Sequence, residues 1–359
     1  MDEKRSVPVS KIELAKTLKA IRDIVASDKE YQRIKEILAP QESEAAIEKA
    51  IRGLSEEDEF ALMCRLMGTA THLVRLEQRP LIPGDYIAPD FLARFQPGCS
   101  IHGFGSEDSS GFKCLIEVKS THKDEFKLSG SLLRRRRNFA DMFGLPLLFA
   151  IRFVRFEQNA LWIMVEDSER ESASLRVTYQ DLVDGVRHVL WDEYWYFLRP
   201  GVYFKGVFDA SYNGDGVRHP EYGTQREFQI IVDDQVISLT DTDAFIYGMF
   251  FQAFGLKEIK VERQGSITYQ ILAPQLATCS IADMIYSLNR LPRDEKGQVV
   301  YDASRILARL DLKSNRTLVT RHFTDRVAQS LFNAGSLYKI GVGGEEAHLE
   351  KWHEYGGQK

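Results

Sequence analysis

Apolar and polar positions along the chain repeat with two different periods, and each change of period marks a new element. Residues 11 to 53 place apolar side chains at helical spacing between charged ones, with Pro40 as an interruption, which predicts a helical lead-in. A further helix is predicted to begin at Ser55. A serine three residues before Asp58, followed by an apolar run of helical period, is typical of a helix N-terminus.

The middle of the chain carries patterns typical of strands. Segments rich in apolar and aromatic residues predict strands, or hairpin arms, over residues 86–95, 112–119, 145–153 and 161–165. Between the second and third of these, a helix is predicted from about Ser129 to Phe143, because Gly144 and then Pro146 end it. Together these elements predict an α/β fold in which a central mixed sheet is flanked by helices.

Three regions are predicted from the order of these elements. Residues 1–54 form an N-terminal helical region, and residues 55–199 form the α/β domain. The Arg-Pro-Gly sequence at 199–201 marks the next boundary. Residues 200–359 mix strand-like and helical segments and predict a C-terminal α+β domain, for which target recognition, dimerisation or regulation are the natural roles.

Composition excludes several classes of protein. No apolar run approaches the ~20 residues of a membrane span, and the charged start MDEKR leads into no signal-peptide core; a cytoplasmic protein without membrane contact is expected. The four cysteines show neither close pairing nor ligand spacing with histidines, so a zinc site or disulfide framework is not expected. The net charge of -5 does not indicate a nucleic-acid binder, although local basic patches matter more than the total.

The candidate chemistry lies in a Pro-Asp pair ending at Asp90 and a Glu-Val-Lys sequence at 117–119. Side chains two apart on a strand share a face, so Glu117 and Lys119 arrive together while Val118 is anchored in the core and offers its backbone carbonyl. Mg²⁺ prefers one or two carboxylates, with water and substrate oxygens as its other ligands. Asp90 and Glu117 can supply those carboxylates, and Lys119 can orient the attacking water. The alternative is a solvated pair of charges on a half-exposed strand.

The stretch from about Ser55 to Val165 resembles the PD-(D/E)XK, or restriction endonuclease-like, nuclease superfamily, and within it the archaeal Holliday junction resolvases. The resemblance is carried by EDEFALMCRLM, IAPDFLARF, IEVKSTHKDEFKLS, FADMFGLP and LLFAIRF, in the family's order. It implies that residues 55–199 are a nuclease domain that uses Mg²⁺, for which Mn²⁺ is expected to substitute. It also implies products with 5′-phosphate and 3′-hydroxyl ends and, in many members, a homodimer.

Residue by residue, the resemblance places Asp90, Glu117 and Lys119 at the catalytic motif. Asp90, Glu117 and the Val118 carbonyl are the expected metal ligands. Glu59 matches the helix glutamate that assists metal binding in the family, although its neighbours Glu56, Glu57 and Asp58 compete for that place.

The sharpest basic run of the chain spans Arg134 to Arg137. At 100° per residue, Arg136 falls in the middle of the predicted helix's apolar stripe, so it should meet a carboxylate or a phosphate; the metal site on the adjacent sheet is a natural partner, and a structural ion pair is the plainer reading. Arg134 and Arg137 are expected to be exposed, where they could contact DNA phosphates or be solvated. Lys123 and Lys127 follow the motif strand and carry the same two alternatives.

Two functions therefore remain open. The first is a metal-dependent DNA endonuclease of repair, restriction or defence against mobile elements, which hydrolyses phosphodiester bonds by attack of a metal-bound water. The second is a nucleic-acid-binding or regulatory protein that keeps the nuclease fold without turnover. A variant of the first is a ligand-activated nuclease that cuts RNA or DNA, with the C-terminal half as the sensor.

Overall fold

The computed structural model describes most of the chain between residues 11 and 341. The described residues are 11–25, 27–38, 44–77, 82, 84–95, 112–154, 161–167, 174–178, 188–190, 194–214, 218–233, 235–238, 241–289, 291, 303, 306–307, 318–333 and 335–341. Within these ranges, no helix is long and apolar enough to cross a membrane.

Helices and strands are mixed along the chain, as an α/β protein requires. The helices are α1 (Lys11–Ile24), α2 (Asp28–Leu38), α3 (Glu44–Met67), α4 (Gly130–Phe143), α5 (Asp241–Gln252), α6 (Ile281–Leu288) and α7 (Arg321–Asn333). The strands of the first half are β1 (Ala70–Arg75), β2 (Phe91–Phe95), β3 (Phe112–Thr121), β4 (Glu125–Leu128), β5 (Leu147–Phe153), β6 (Leu161–Glu166), β7 (Leu175–Thr178) and β8 (His188–Leu190). Those of the second half are β9 (Tyr194–Leu198), β10 (Tyr203–Asp209), β11 (Arg218–His219), β12 (Gly223–Val232), β13 (Gln235–Ser238), β14 (Leu256–Gln264), β15 (Ile267–Pro274), β16 (Thr278–Ser280) and β17 (Leu337–Gly341).

The first half of the chain forms a mixed sheet with strand order β1-β2-β3-β5-β6-β8. The pair β3–β5 is parallel, with Glu117 opposite Phe149, and the other neighbouring strands are antiparallel. A parallel pair needs a long crossover connection, and α4 supplies it. The predicted mixed sheet is therefore confirmed, and it brings the motif strand β3 to its centre.

Both faces of this sheet are covered, because alternate residues of β3 enter two different cores. Cys114, Ile116 and Val118 pack with α3 in a first core, whereas Leu115 packs in a second core with α4. Strands that are buried on both faces are expected where parallel pairing occurs. Glu117 and Lys119 alternate with the first-core residues and so project to the α4 side.

The first core continues into the second half of the chain. It includes residues of β9, β10, α5, α6 and α7 as well as α3. The second half contains an antiparallel sheet, β11-β12-β10-β15-β14 with β13 beside β12, and a small sheet, β16-β9-β17. The predicted boundary after residue 54 falls inside α3, and the one at 199 falls between β9 and β10. The division into three domains stays a prediction.

Two predicted elements differ from the structure. The helix expected to start at Ser55 begins at Glu44, and the Ser55 hydroxyl donates to the carbonyl of Ile51, at 3.1 Å, inside the continuous helix. The strand expected over 86–95 is confined to Phe91–Phe95. The irregular stretch before it carries Asp90 to the start of β2.

The helix α4 was predicted to within one residue. It begins after Ser129 and ends at Gly144, which takes the left-handed conformation with φ 61°. Glycine adopts this conformation without the steric penalty of a side chain. The helix end fixes where β5 begins, and thus the alignment of β5 with the motif strand.

Candidate active site

Asp90 is bound to the motif strand through the backbone of Val118. Its Oδ2 accepts a hydrogen bond from the Val118 N–H, at 2.7 Å, and the side chain is buried. The antiparallel register of β2 and β3 pairs Phe91 with Ile116, which places the residue before β2 beside the Glu-Val-Lys sequence. The structure therefore brings the two parts of the predicted motif together.

Lys119 links both carboxylates of the motif. Its Nζ lies 2.5 Å from Glu117 Oε1 and 3.8 Å from Asp90 Oδ2, and donates to the Val118 carbonyl at 2.8 Å. Glu117 is buried, whereas the Lys119 side chain is 31% exposed. The lysine thus forms the solvent-facing side of the group, where a substrate could reach it.

Arg136 reaches Glu117 from the helix that covers this face. Its Nη2 donates to Glu117 Oε1, and its Nη1 donates to the Leu132 carbonyl at 3.2 Å. The prediction that a buried Arg136 meets a carboxylate is confirmed. A buried guanidinium beside a buried carboxylate offsets part of the cost of removing both charges from water.

One oxygen of Glu117 remains open for another ligand. Glu117 Oε2 is buried and makes no hydrogen bond with the described residues, although a buried carboxylate oxygen without a partner is costly. With Asp90 beside it, the donor set is two carboxylates and a backbone carbonyl, which fits a Mg²⁺ ion that keeps several waters. In the described part of the chain, no group of three His, Cys, Asp or Glu residues could hold a metal ion, and an ion at this donor set would draw its remaining ligands from water and substrate oxygens.

Burial and charge shift the pKa values of this group in different directions. Burial, and then the charge of Glu117, raises the pKa of Asp90 from 3.8 to about 6. Burial also opposes ionisation of Glu117, but Lys119 and Arg136 outweigh it and hold the pKa of that carboxyl below its usual range. Burial opposes the charged form of Lys119 as well, but Glu117 and Asp90 raise its pKa. Glu117 and Lys119 are therefore charged near neutral pH.

The acidic run of α3 places Glu57, and not Glu59, beside the motif. Burial, and then the charge of Asp90, raises the pKa of Glu57 from 4.5 to about 8, and Lys119 lowers it. Glu59 instead accepts a hydrogen bond from Tyr286 Oη, at 2.7 Å, and lies 3.0 Å from Arg152 Nε. Residues two positions apart on a helix differ by about 200° around its axis. Glu57 and Glu59 therefore project to nearly opposite sides. Of the competing residues, Glu57 interacts electrostatically with Asp90 and Lys119, and the assignment of the helix glutamate to Glu59 stays a prediction.

The expected DNA-contacting residues fall into two groups. Lys123, Lys127 and Arg134 are exposed; Lys127 lies 2.9 Å from Glu125, and Arg134 lies 3.2 Å from Asp85. Arg136 and Arg137 instead form ion pairs within the protein, with Glu117 and Asp167. The expectation that Arg137 is exposed was wrong, because its guanidinium donates to both oxygens of Asp167, at 2.6 and 2.7 Å.

Sequence reasoning missed two contributions to the site. Asp85 lies 3.2 Å from Arg134 and 3.5 Å from Arg135, and the Asn138 amide donates to the Asp85 carbonyl at 2.7 Å. These contacts hold the segment before Asp90 against α4. The other missed residue is Arg75, which lies 3.8 Å from Glu57 and 2.5 Å from Asp58. A charged residue at the end of a strand gave no signal of this role.

Comparisons with known proteins show a structural likeness over about a third of the chain. No protein-family model matches the chain, and no curated protein matches it. Among solved structures, it is similar to Hjc, a Holliday junction resolvase from the archaeal hyperthermophile Archaeoglobus fulgidus, with 18% sequence identity over 35% of this chain and 88% of that chain. The TM-score is 0.25. The function is therefore inferred from the geometry of the site.

Proposed function

We propose that the protein is a Mg²⁺-dependent DNA endonuclease of the PD-(D/E)XK kind. The observation that carries the proposal is the joint burial of Asp90 and Glu117 beside Lys119, where Glu117 Oε2 has no hydrogen-bond partner among the residues that the structure describes. A solvated pair of charges on an exposed strand would need neither the burial nor Asp90. The mixed sheet, with α3 on one face and α4 on the other, supports a restriction endonuclease-like arrangement.

Asp90, Glu117 and the Val118 carbonyl are the proposed ligands of Mg²⁺, with Mn²⁺ as a substitute. When bound, the ion polarises the phosphate and lowers the pKa of a water. Glu57 lies close enough to interact electrostatically with Asp90 and is the proposed partner of a water bound to the ion. Magnesium retains several waters in protein sites, so a carboxylate that acts through water suits it.

Lys119 and Arg136 have separate roles in the proposed reaction. Lys119 is charged and partly exposed, so its ammonium can hold the attacking water and offset the negative charge that develops on the phosphate. Arg136 does not face solvent; its bond to Glu117 keeps that carboxylate ionised and fixes its direction. Hydrolysis would then require a phosphate bound next to Lys119. The water would add to phosphorus and lose its proton to solvent, and the bond from phosphorus to the 3′ oxygen would break as that oxygen takes up a proton.

DNA contact is proposed for the exposed basic residues Lys123, Lys127 and Arg134. They lie on the turn after β3, on β4 and on α4, the elements adjoining the face that carries Glu117. Phosphate contacts of this kind position a duplex without reading its sequence. The proposal leaves target selection and any dimer contact to the other regions of the chain.

The test is cleavage of end-labelled linear duplex, single-stranded and four-way-junction DNA, and of RNA, with Mg²⁺ or Mn²⁺. Wild type is compared with Glu117→Gln and with the control Glu125→Gln. Both glutamates contact a lysine two residues later and an arginine. Glu117 is buried near Asp90, whereas Glu125 is partly exposed and its described ion pairs include no neighbouring aspartate site. We expect metal-dependent cutting that is lost in Glu117→Gln and retained in Glu125→Gln.

The opposite outcomes are also informative. Equal cutting by Glu117→Gln and wild type would exclude this site as the catalytic centre. If wild type binds DNA but cuts none of the substrates with either metal, the endonuclease proposal fails and a non-catalytic binding or regulatory role replaces it. Cutting of RNA alone would change the substrate but not the site.

A further inference from the structure

One turn of α3 connects the candidate active site with the second half of the chain. Glu57 lies 3.8 Å from Arg75, which pairs across the sheet with Phe91, the residue after Asp90. Glu59, two residues later, lies against Arg152 of β5 and accepts a hydrogen bond from Tyr286 of α6. Glu59, Arg152 and Tyr286 are all buried. A charged group in this core is tolerated only with its partners in place, so the three side chains have few alternative arrangements.

These contacts restrict the rotation of α3 about its own axis. Glu57 and Glu59 belong to the same rigid helical turn, about 200° apart. A rotation that moves Glu59 away from Arg152 and Tyr286 necessarily moves Glu57 relative to Asp90. The hydroxyl of Tyr286 therefore limits, through Glu59, where the Glu57 carboxylate can lie.

Asp58 holds the same turn from another direction. It pairs with Lys19 of α1 and, at 2.5 Å, with Arg75 of β1. These contacts come from the first half of the chain, as does that of Arg152 from the sheet. Tyr286 is distinct because it lies far along the chain, on the short helix α6, and is the hydrogen-bond partner that the second half supplies to this turn.

We propose that Tyr286 is a positioning residue for the metal site, which acts through Glu59 to hold Glu57 beside Asp90. The inference rests on the proposed function, since it assigns a role to Glu57 at a metal-binding centre. It also gives the second half of the chain a route to that centre: any displacement of α6 changes the bond to Glu59 and, with it, the position of Glu57.

The test compares Tyr286→Phe with Tyr196→Phe. Both tyrosines belong to the first core, and each substitution removes one hydroxyl that donates to a carboxylate. Tyr196 Oη donates to the half-exposed Asp325 at 3.0 Å. The Tyr196 bond joins β9 to α7 and does not involve α3. Tyr196→Phe therefore controls for the loss of a tyrosine hydroxyl from the first core, without the contact that the proposal requires.

Two quantities are measured for each variant: the affinity for Mn²⁺ without DNA, by isothermal titration calorimetry, and the Mg²⁺ concentration that gives half-maximal cleavage. We expect Tyr286→Phe to weaken Mn²⁺ binding and raise the half-maximal Mg²⁺ concentration by roughly three- to tenfold, at or below the ~10–100-fold typical of outer-shell substitutions. The cleavage rate at saturating Mg²⁺ should change little. Tyr196→Phe should leave both metal readouts at the wild-type value.

Arg152→Lys provides a second route to the same result. It keeps a positive charge near Glu59 but loses the guanidinium geometry, so it should weaken Mn²⁺ binding in the same direction. Unchanged Mn²⁺ affinity in both Tyr286→Phe and Arg152→Lys, or equal weakening in Tyr196→Phe, would overturn the positioning role while the metal site stands. A wild type that neither binds Mn²⁺ nor cuts DNA would overturn the proposed function and the positioning role together.

Discussion

The carboxylate of Asp90 accepts a hydrogen bond from the backbone N–H of Val118, at 2.7 Å. This bond fixes Asp90 beside Val118, the residue between Glu117 and Lys119. The bond can be kept while the negative charge at position 90 is removed. An asparagine at position 90 offers a carbonyl oxygen to the same N–H. Asp90→Asn therefore separates the structural role of the side chain from its proposed metal-binding role.

We expect Asp90→Asn to fold and to lose at least about 100-fold in metal-dependent cleavage, because a neutral amide binds Mg²⁺ poorly. The measurement is the single-turnover cleavage rate with saturating Mg²⁺, together with a thermal unfolding curve. Asp233→Asn is the control, since Asp233 is an exposed aspartate in the second half of the chain that pairs with Arg199 at 2.7 Å. A cleavage rate of Asp90→Asn within threefold of wild type would exclude Asp90 as a ligand.

Lys119 is predicted to have opposite effects on metal binding and on turnover. Its ammonium lies 2.5 Å from Glu117 and 3.8 Å from Asp90, so it competes with a cation for both carboxylates. Lys119→Met should lower the cleavage rate by roughly 10²–10³-fold, as loss of one stabilising donor does. The same variant should bind Mn²⁺ as tightly as wild type or more tightly in calorimetry. Weaker Mn²⁺ binding would contradict the assigned role.

The stability of the metal-free protein should fall as the pH rises between about 4 and 8. The native pKa values of Glu57 and Asp90 are raised, to about 8 and about 6, from 4.5 and 3.8. A native state that binds more protons than the unfolded chain loses stability with rising pH. The stabilisation is thus complete below the unfolded values and is lost as the pH passes through the native ones. Glu117 has a lowered pKa and Lys119 a raised one, so both act outside this window.

The check is a series of urea unfolding curves at pH values from 5 to 8.5 in the presence of EDTA, for wild type and Glu57→Gln. The variant cannot lose a proton at position 57, so its stability should decline less steeply between pH 6.5 and 8.5. Saturating Mg²⁺ should flatten the wild-type profile as well, because the ion stabilises the ionised carboxylates. Parallel profiles of wild type and Glu57→Gln would show that Glu57 does not titrate in this range.

The parts of the fold that the sequence predicted are those governed by local patterns. The helix α4 has an apolar stripe, a glycine at its end and an arginine within the stripe, and its bounds and the Glu117 contact of Arg136 both agree with the prediction. The motif strand β3 is similarly marked by its apolar residues and alternating charges. In each case the information lies within about fifteen residues of the feature.

The errors arise where packing overrides a local signal. A serine ahead of acidic residues is a good helix start, but the preceding residues 44–54 are helical too, and Ser55 bonds within the helix. The choice between Glu57 and Glu59 depends on how α3 is rotated against the sheet. The contacts of α3 in this rotation include those of Glu59 with Arg152 and Tyr286, whose distances along the chain no local pattern reveals.

The buried pair of Glu59 and Arg152 should contribute to stability only while both partners are present. Arg152→Met leaves the Glu59 carboxylate without its guanidinium in the first core, which should lower the free energy of unfolding by about 3–5 kcal/mol. Adding Glu59→Gln removes the stranded charge and keeps an acceptor for Tyr286, so the double variant should be more stable than Arg152→Met alone. Urea unfolding at pH 7 measures the free energy of unfolding of wild type, Arg152→Met and the double variant. Arg134→Met, which breaks an exposed pair, should cost at most about 1 kcal/mol; a comparable loss in Arg134→Met and Arg152→Met would show that burial does not govern the difference.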